Sequence, residues 1–203
     1  MRPGGRWGII IAAMAEIRGF RPVKLISGII AGRDEHFARA EERLSGLCGP
    51  IDSRSARFPF AFTDYYEAEM GSGLRRGFVG FDRLIDPSGL AAIKIRTNEL
   101  EREIAAEFEA DRPGRQEQPG PRGRIVNIDP GYLTAAALIM ATTKDFSHRI
   151  PLRDGIFGHL EFLFTKTGVR RLDWTYPDFA QAGYEAFFLD IRRQYLRRLK
   201  ARE

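Results

Sequence analysis

Sulfur and imidazole are scarce in this chain of 203 residues: it has one cysteine, Cys48, and three histidines, His36, His148 and His159. A lone cysteine excludes an intrachain disulfide and any multi-cysteine zinc site, and it suits a reducing compartment. The histidines are scattered and form no H-E-x-x-H pair, so metal-assisted hydrolysis of that type has no carrier. A serine nucleophile lacks its usual G-x-S-x-G setting. Also missing is the G-x-x-x-x-G-K-[ST] loop, whose backbone N–H groups wrap phosphates. The glycines of GSGLRRG fall at 71, 73 and 77, which is not the spacing of a dinucleotide fingerprint. Long apolar runs are absent as well. WGIIIAAMA, residues 7–15, falls far short of the ~20 residues that cross a bilayer. It follows the basic MRPGGR and carries AMA, a signal-peptidase-like triplet. Its brevity favours a plainer reading of residues 1–21 as a flexible extension, with Met14 as an alternative start.

What is present describes a globular chain. Hydrophobic residues make up 43% and charged residues 29%, enough for a real core in one domain over 22–200. The formal net charge of +5 favours anionic partners without choosing among phosphates, nucleic acid and acidic lipid.

The β-branched run at 23–30 predicts a buried strand. Gly32 breaks it, and Asp34 is placed to cap a helix whose face carries Phe37, Ala40, Leu44 and Leu47. Cys48-Gly49-Pro50 ends that helix. Residues 54–62 read as extended, with Pro59 marking an edge or an end, and 74–81 as another strand. Asp86-Pro87 starts a second helix, with Leu90, Ile93, Leu100, Ile104 and Phe108 on one side. Lys94, Asn98 and Glu101 form a stripe flanking that side. DRPGRQEQPGPRG at 111–123 reads as a mobile surface loop. A strand at 124–129 is expected to turn at Pro130-Gly131, and AAALIMATT leans to strand at its carboxyl side. HRIPL and GIFGHLEFLFT form a hairpin around Arg153-Asp154-Gly155. Ile156, Leu160, Phe162 and Phe164 are expected to share one face of it. VRRLDW adds a strand. The last helix runs from about Pro177 with an apolar stripe from Tyr184 to Leu199 and a basic end, Asp178 favouring the positive end of its dipole. The sum is an α+β fold, a single domain with a mostly antiparallel sheet and about three helices.

Several of these segments resemble a known family. FPFAFTDYYEAEMG, DPSGLAAIKIRTNELE, NIDPGYLT, ATTKDFSHRI and DWTYPDF are similar, in that order, to the signature segments of a prokaryotic family, domain of unknown function 4416. The likeness runs from about Pro22 to near the carboxyl end. Residues 111–123 are longer than the family's usual segment, Phe179 stands where tyrosine is common, and His159 lies near a position often held by glutamate. The resemblance implies a soluble cytoplasmic protein and names no reaction. Some relatives carry the label GTP-binding protein, and that part of the resemblance implies nucleotide binding by a scaffold without the phosphate loop.

The candidate site residues come from three stretches. In TTKDFSHRI, Lys144, His148 and Arg149 are suited to a phosphate, with His148 as acid or base near neutral pH. A solvated, charged strand end explains the same residues. Were 148 and 149 both in a strand, they would point to opposite faces. In NIDPGYL, Asn127 and Asp129 project to one side of a strand while Val126 and Ile128 face the core. That pair suits a hydroxyl or a hard cation, whereas an Asp-Pro-Gly turn is the plainer account. Lys94 and Asn98 line a cleft only if their helix face borders one; surface pairing explains them too. Asp64, Glu67 and Glu69 offer carboxylates beside Tyr65 and Tyr66, a group more simply read as a solvated turn. The leading functional expectation is binding or turnover of a small anionic, phosphate-bearing ligand, with His148 and Asp129 as the catalytic candidates. Lys144, Asn127, Lys94, Asn98 and Arg149 would bind the ligand. An RNA-binding module using the basic last helix and a non-catalytic interaction domain are the alternatives. The sequence selects no cofactor and no oligomeric state.

Overall fold

The computed structural model describes residues 18–62, 66–110 and 123–201. The first 17 residues of the expected extension, the loop predicted at 111–123 apart from Gly123, and Asp64 and Tyr65 lie outside the described residues. Strand β1 (Val23–Ala31) is buried at every position. A strand without polar alternation needs cover on both faces, and the layers around it provide that. On one face, α1 (Asp34–Cys48) and α3 (Leu90–Ala110) pack Phe37, Leu44, Leu100 and Ile104 against Leu25, Ile29, Val126 and Ile128. On the other, α4 (Ala182–Lys200) packs Tyr184, Phe188, Ile191 and Tyr195 against Ile26, Phe78, Leu138 and Phe162.

The remaining strands are β2 (Ile51–Arg54), β3 (Phe58–Pro59), β4 (Arg75–Ile85), β5 (Val126–Leu133), β6 (Ala137–Thr142), β7 (Ile150–Arg153), β8 (Ile156–Phe164) and β9 (Val169–Arg171); α2 (Glu67–Met70) is a single turn before β4. They form one 9-stranded sheet in the order β2-β4-β1-β5-β6-β8-β7, with β3 beside β4 and β9 beside β8. Each described pairing is antiparallel, so the fold is α+β. No described helix is long and apolar enough to cross a membrane.

One irregularity positions the site. β1 accompanies β5 from Val126 to Leu133, but β6 pairs with β5 only at Gly131, Tyr132 and Leu133. The sheet therefore splits beyond Gly131, leaving one edge of β5 bare. A bare edge has unpaired N–H and C=O groups that must find partners. Helix α3 supplies them: Glu101 Oε1 accepts the Ile128 N–H at 2.6 Å, and Lys94 Nζ donates to the Ile128 carbonyl at 2.8 Å.

The expected turn at Asp-Pro-Gly is corrected by this geometry. β5 runs straight through Pro130, which sits opposite Ser27 of β1. Backbone groups alternate edges along a strand, so Pro130, two residues after Ile128, has its missing N–H on the same bare edge. No ladder bond is lost there, and the strand need not stop. Three smaller expectations also change. Asp34 is not the cap of α1; it lies in the first turn and pairs with Arg57 and Arg75 at 2.5 and 2.8 Å. Leu47 is exposed, and Cys48 takes its place on the buried face of α1. A bulge at Glu161 shifts the β6–β8 register between Leu160 and Phe162. Ile156 accordingly packs with Leu90 and Ala141, whereas Phe162 and Phe164 pack with the α4 layer.

A cleft where the sheet divides

The Lys94, Asn98 and Glu101 stripe follows the step of four and three that keeps helix positions in line. Because α3 seals the bare edge of β5, this stripe faces the gap between β5 and β6. Lys94 and Glu101 are buried, Asn98 is half-buried, and all three line a cleft of about 690 Å³. Asn127 and Asp129 enter it from β5, Met140, Ala141 and Thr142 from β6, and Arg76 from β4. The cleft thus reaches through the opening in the sheet from α3 on one side to Asp178 and Phe179, just before α4, on the other.

Its charges are interlocked. Asp129 accepts from Lys94 Nζ at 3.0 Å with one oxygen and from Asn127 Nδ2 at 2.7 Å with the other. Arg76, buried in β4, pairs with Asp178 at 2.6 Å and lies 4.0 Å from Asp129. Its guanidinium also rests over the rings of Phe78 and Phe179, 5.0 and 4.9 Å from their centroids. Gly28 on the neighbouring strand makes this fit possible, since a Cβ there would come within 3.1 Å of Arg76 Nη2. Arg124 donates to Glu69 at 2.6 Å and to Asn127 Oδ1 at 3.1 Å, and stands 3.7 Å from Glu101. Phe60, Phe62, Tyr66, Tyr176 and Phe179 provide flat apolar wall.

TTKDFSHRI resolves into the end of β6, a loop over 143–149 and the start of β7. Lys144 is exposed and lines the cleft. His148 and Arg149 do not line it. Neither is in a strand, so the opposite-faces rule does not apply to them. Arg149 donates to the Lys144 carbonyl and to Tyr176 Oη, both at 2.7 Å, and so ties the loop to the cleft wall. His148 stacks on Trp174 with ring centroids 5.1 Å apart and packs against His159 at 4.9 Å. Five of the seven residues expected at the site therefore share one cavity, and two stand behind it.

The sequence reading missed Arg76, Arg124, Tyr176, His159 and Asp178 as cleft residues, and Glu69, weighed there as a carboxylate but read more simply as part of a solvated turn, lines the cleft too. Asp178, expected at the positive end of a helix dipole, is buried and bound to Arg76 instead. A signal for Arg76 did exist, because it shares strand parity with the core residue Phe78.

The environment sorts the acids by their surroundings. Burial pushes the Asp129 carboxyl up, but Lys94 and Arg76 overcome that and hold it below the usual carboxylate range. Burial dominates at Glu101, raising it to about 7, and at Glu161, raising it to about 8. Burial, with Arg149 and His148 nearby, lowers His159 to about 4. Two carboxyls beside or within the cleft thus exchange protons near neutral pH, as acid–base groups must. Among the described residues no group of three or more His, Cys, Asp or Glu side chains is placed to hold a metal ion.

Part of the basic end of α4 is committed within the molecule. Arg192 donates to the Ala135 carbonyl at 2.8 Å, Arg193 pairs with Asp190 at 2.9 Å, and Arg198 pairs with Asp82 at 2.9 Å. Exposed apolar side chains Phe146, Ile150 and Leu152 lie on and just before the edge strand β7.

Fold and site together define an α+β domain built on one divided antiparallel sheet, with a charged, aromatic-walled cleft in the division. The chain belongs to the domain of unknown function family DUF4416, whose profile matches residues 21–195. No curated protein and no solved structure matches it.

Proposed function

We propose that this cleft binds a small anionic ligand, one that carries a phosphate-type group on a body flat or apolar enough to lie against the aromatic wall. The observation that supports this is the lining itself. Arg76, Lys94, Arg102, Arg124 and Lys144 contribute cations, against carboxyls at Glu69, Glu101, Asp129 and Asp178. Glu101 ionises only at about 7, so the balance near neutrality is positive. Arg76 has Nη1 bound to Asp178 but an Nε without a partner, part of a planar fork that matches phosphate oxygens, and Arg124, held by Glu69 and Asn127, adds its charge. The volume of about 690 Å³ lies within the ~300–1,000 Å³ of small-molecule sites. Asn98 and Asn127 add carboxamides able to read a hydroxyl or a base edge.

Lys144 and Arg102 are exposed at the rim, where a ligand's most solvated charge would sit. A thermal-shift panel of nucleotides, sugar phosphates, inorganic phosphate and matching uncharged compounds tests the proposal. At least one phosphate-bearing compound should raise the melting temperature saturably. Lys144→Ala should weaken that compound's affinity about tenfold, the usual scale of one charged hydrogen bond. No shift by any anion, or shifts unchanged in the variant, would overturn the proposal.

A further inference from the structure

His159 and Glu161 face each other at the wall of the cleft. His159 Nε2 and Glu161 Oε2 are 3.4 Å apart, and the two side chains are 1% and 0% exposed. Both atoms are buried without another hydrogen-bond partner, a costly state that a proton between them relieves. The bulge on β8 produces the meeting, since Leu138 pairs with Phe162 and Ile139 with Leu160, leaving Glu161 outside the ladder. Glu161 Oε1 is fixed separately by the Tyr176 N–H at 2.7 Å. The His159 ring is held between His148 and Tyr176, at centroid distances of 4.9 and 5.2 Å, and it lines the cleft.

We propose that His159 and Glu161 form a proton relay that exchanges one proton with an anionic ligand in the cleft. His159 is its catalytic acid–base group and Glu161 the positioning residue behind it. In the resting relay the Glu161 carboxylic acid donates its O–H to Nε2 and the imidazole keeps its proton on Nδ1. When a ligand oxygen takes the Nδ1 proton, the Glu161 proton passes to Nε2. The relay is left as a carboxylate beside a neutral imidazole of the other tautomer. One proton has moved to the ligand, no imidazolium has formed, and the reverse passage makes the relay a base. The directions of titration agree with this, because burial raises Glu161 to about 8 and lowers His159 to about 4. The other charged and titratable groups around the pair are Arg149, His148, Arg76, Asp178 and Tyr176. The proposal rests on the reading of the cleft as an anion site, and its test separates the two.

The full chain without ligand is titrated while the His159 ring nitrogens are followed by nitrogen-15 NMR, in the native protein and in Glu161→Gln. In the native protein the proton should move from Nδ1 to Nε2 in a step near pH 8, with no imidazolium signal above about pH 5. In the variant that step should vanish while the backbone amide spectrum stays native. An imidazolium appearing between pH 6 and 7 in both proteins would overturn the relay, as would a tautomer step that survives Glu161→Gln. Nitrogen-15 and phosphorus-31 NMR with inorganic phosphate at pH 7 then asks whether the relay serves the cleft, because a proton passed within the complex changes both partners' signals. A switch of His159 from Nδ1–H to Nε2–H on binding, with the phosphate signal moving toward its more protonated form and that movement lost in His159→Asn and in Glu161→Gln, supports it; phosphate bound with both signals unchanged sinks it. Failure of phosphate to bind counts against the anion site, and the relay is then judged by the tautomer step alone.

Discussion

Arg76 shows how a single buried charge organises its surroundings. Burial works against its positive form, but Asp178 at 2.6 Å and Asp129 at 4.0 Å keep it protonated. Removing one partner from such a pair leaves an uncompensated charge in a low-dielectric site, which costs about 3–5 kcal/mol. Asp178→Ala should therefore destabilise the protein on that scale in urea unfolding. Replacing both partners with apolar residues of similar volume, Arg76→Met with Asp178→Leu, should cost clearly less than the single change. Equal losses in the single and double variants would mean that the pairing contributes nothing of its own. The Arg76 side chain could have been placed from its strand parity alone; its partner could not. Asp178 lies 102 positions away in the chain, and its local pattern, an acid just after a proline, reads equally well as an ordinary helix start.

At the level of elements, what was legible was local. The apolar run of β1, the Gly49 stop of α1 and the Asp154-Gly155 turn, with φ values of 53° and 73°, follow from patterns spanning a few residues. The helical stripe of Lys94, Asn98 and Glu101 was legible too, but only as a stripe. Whether it faced water or a cleft depended on the split between β5 and β6, which no short window encodes. Pro130 illustrates the same limit, because a proline is tolerated in a strand when the edge it faces carries no ladder, and that edge is a tertiary fact. Gly131 marks the last paired position before the split. A Cβ there would come within 2.5 Å of both the Ile139 carbonyl oxygen and Met140 Sδ. Backbone cannot give way as a side-chain tip can, so Gly131→Ala should force β5 and β6 apart. A loss of about 1–3 kcal/mol is expected from such overpacking, together with faster amide exchange at Tyr132 and Ile139, the pair whose backbone groups face each other across the seam. Unchanged exchange at those amides would show that the split tolerates a methyl group and is not fixed by this contact.

For the molecule as a whole, the division of the sheet places polar groups where an intact sheet would bury apolar ones, and stability must reflect their protonation. A carboxyl whose folded pKa exceeds its unfolded value holds its proton more tightly when folded. Its contribution is fully present below the unfolded value and is lost as pH rises through the folded one. With folded values of about 7 for Glu101 and about 8 for Glu161, that loss runs from pH ~4.5 to ~8. Asp129 and His159 act in the opposite direction. Asp129 is held low by Lys94 and Arg76 against its burial, and His159 is lowered to about 4 by burial, so each removes stability as the solution is acidified. The four groups together place the stability maximum near pH ~4.5: above it the two carboxyls lose stability faster than His159 alone restores it, and below it His159 and Asp129 lose theirs. Urea unfolding at pH 5.5, 7 and 9 should show a fall on the alkaline side, on the order of 3 kcal/mol or less for each carboxyl. The double variant Glu101→Gln with Glu161→Gln keeps the shape of both side chains and removes their ionisation, so its alkaline limb should be nearly flat. A native protein equally stable at pH 5.5 and 9 would mean that these carboxyls are hydrated in solution, and the cleft would then lack the dry interior that the proposed relay requires.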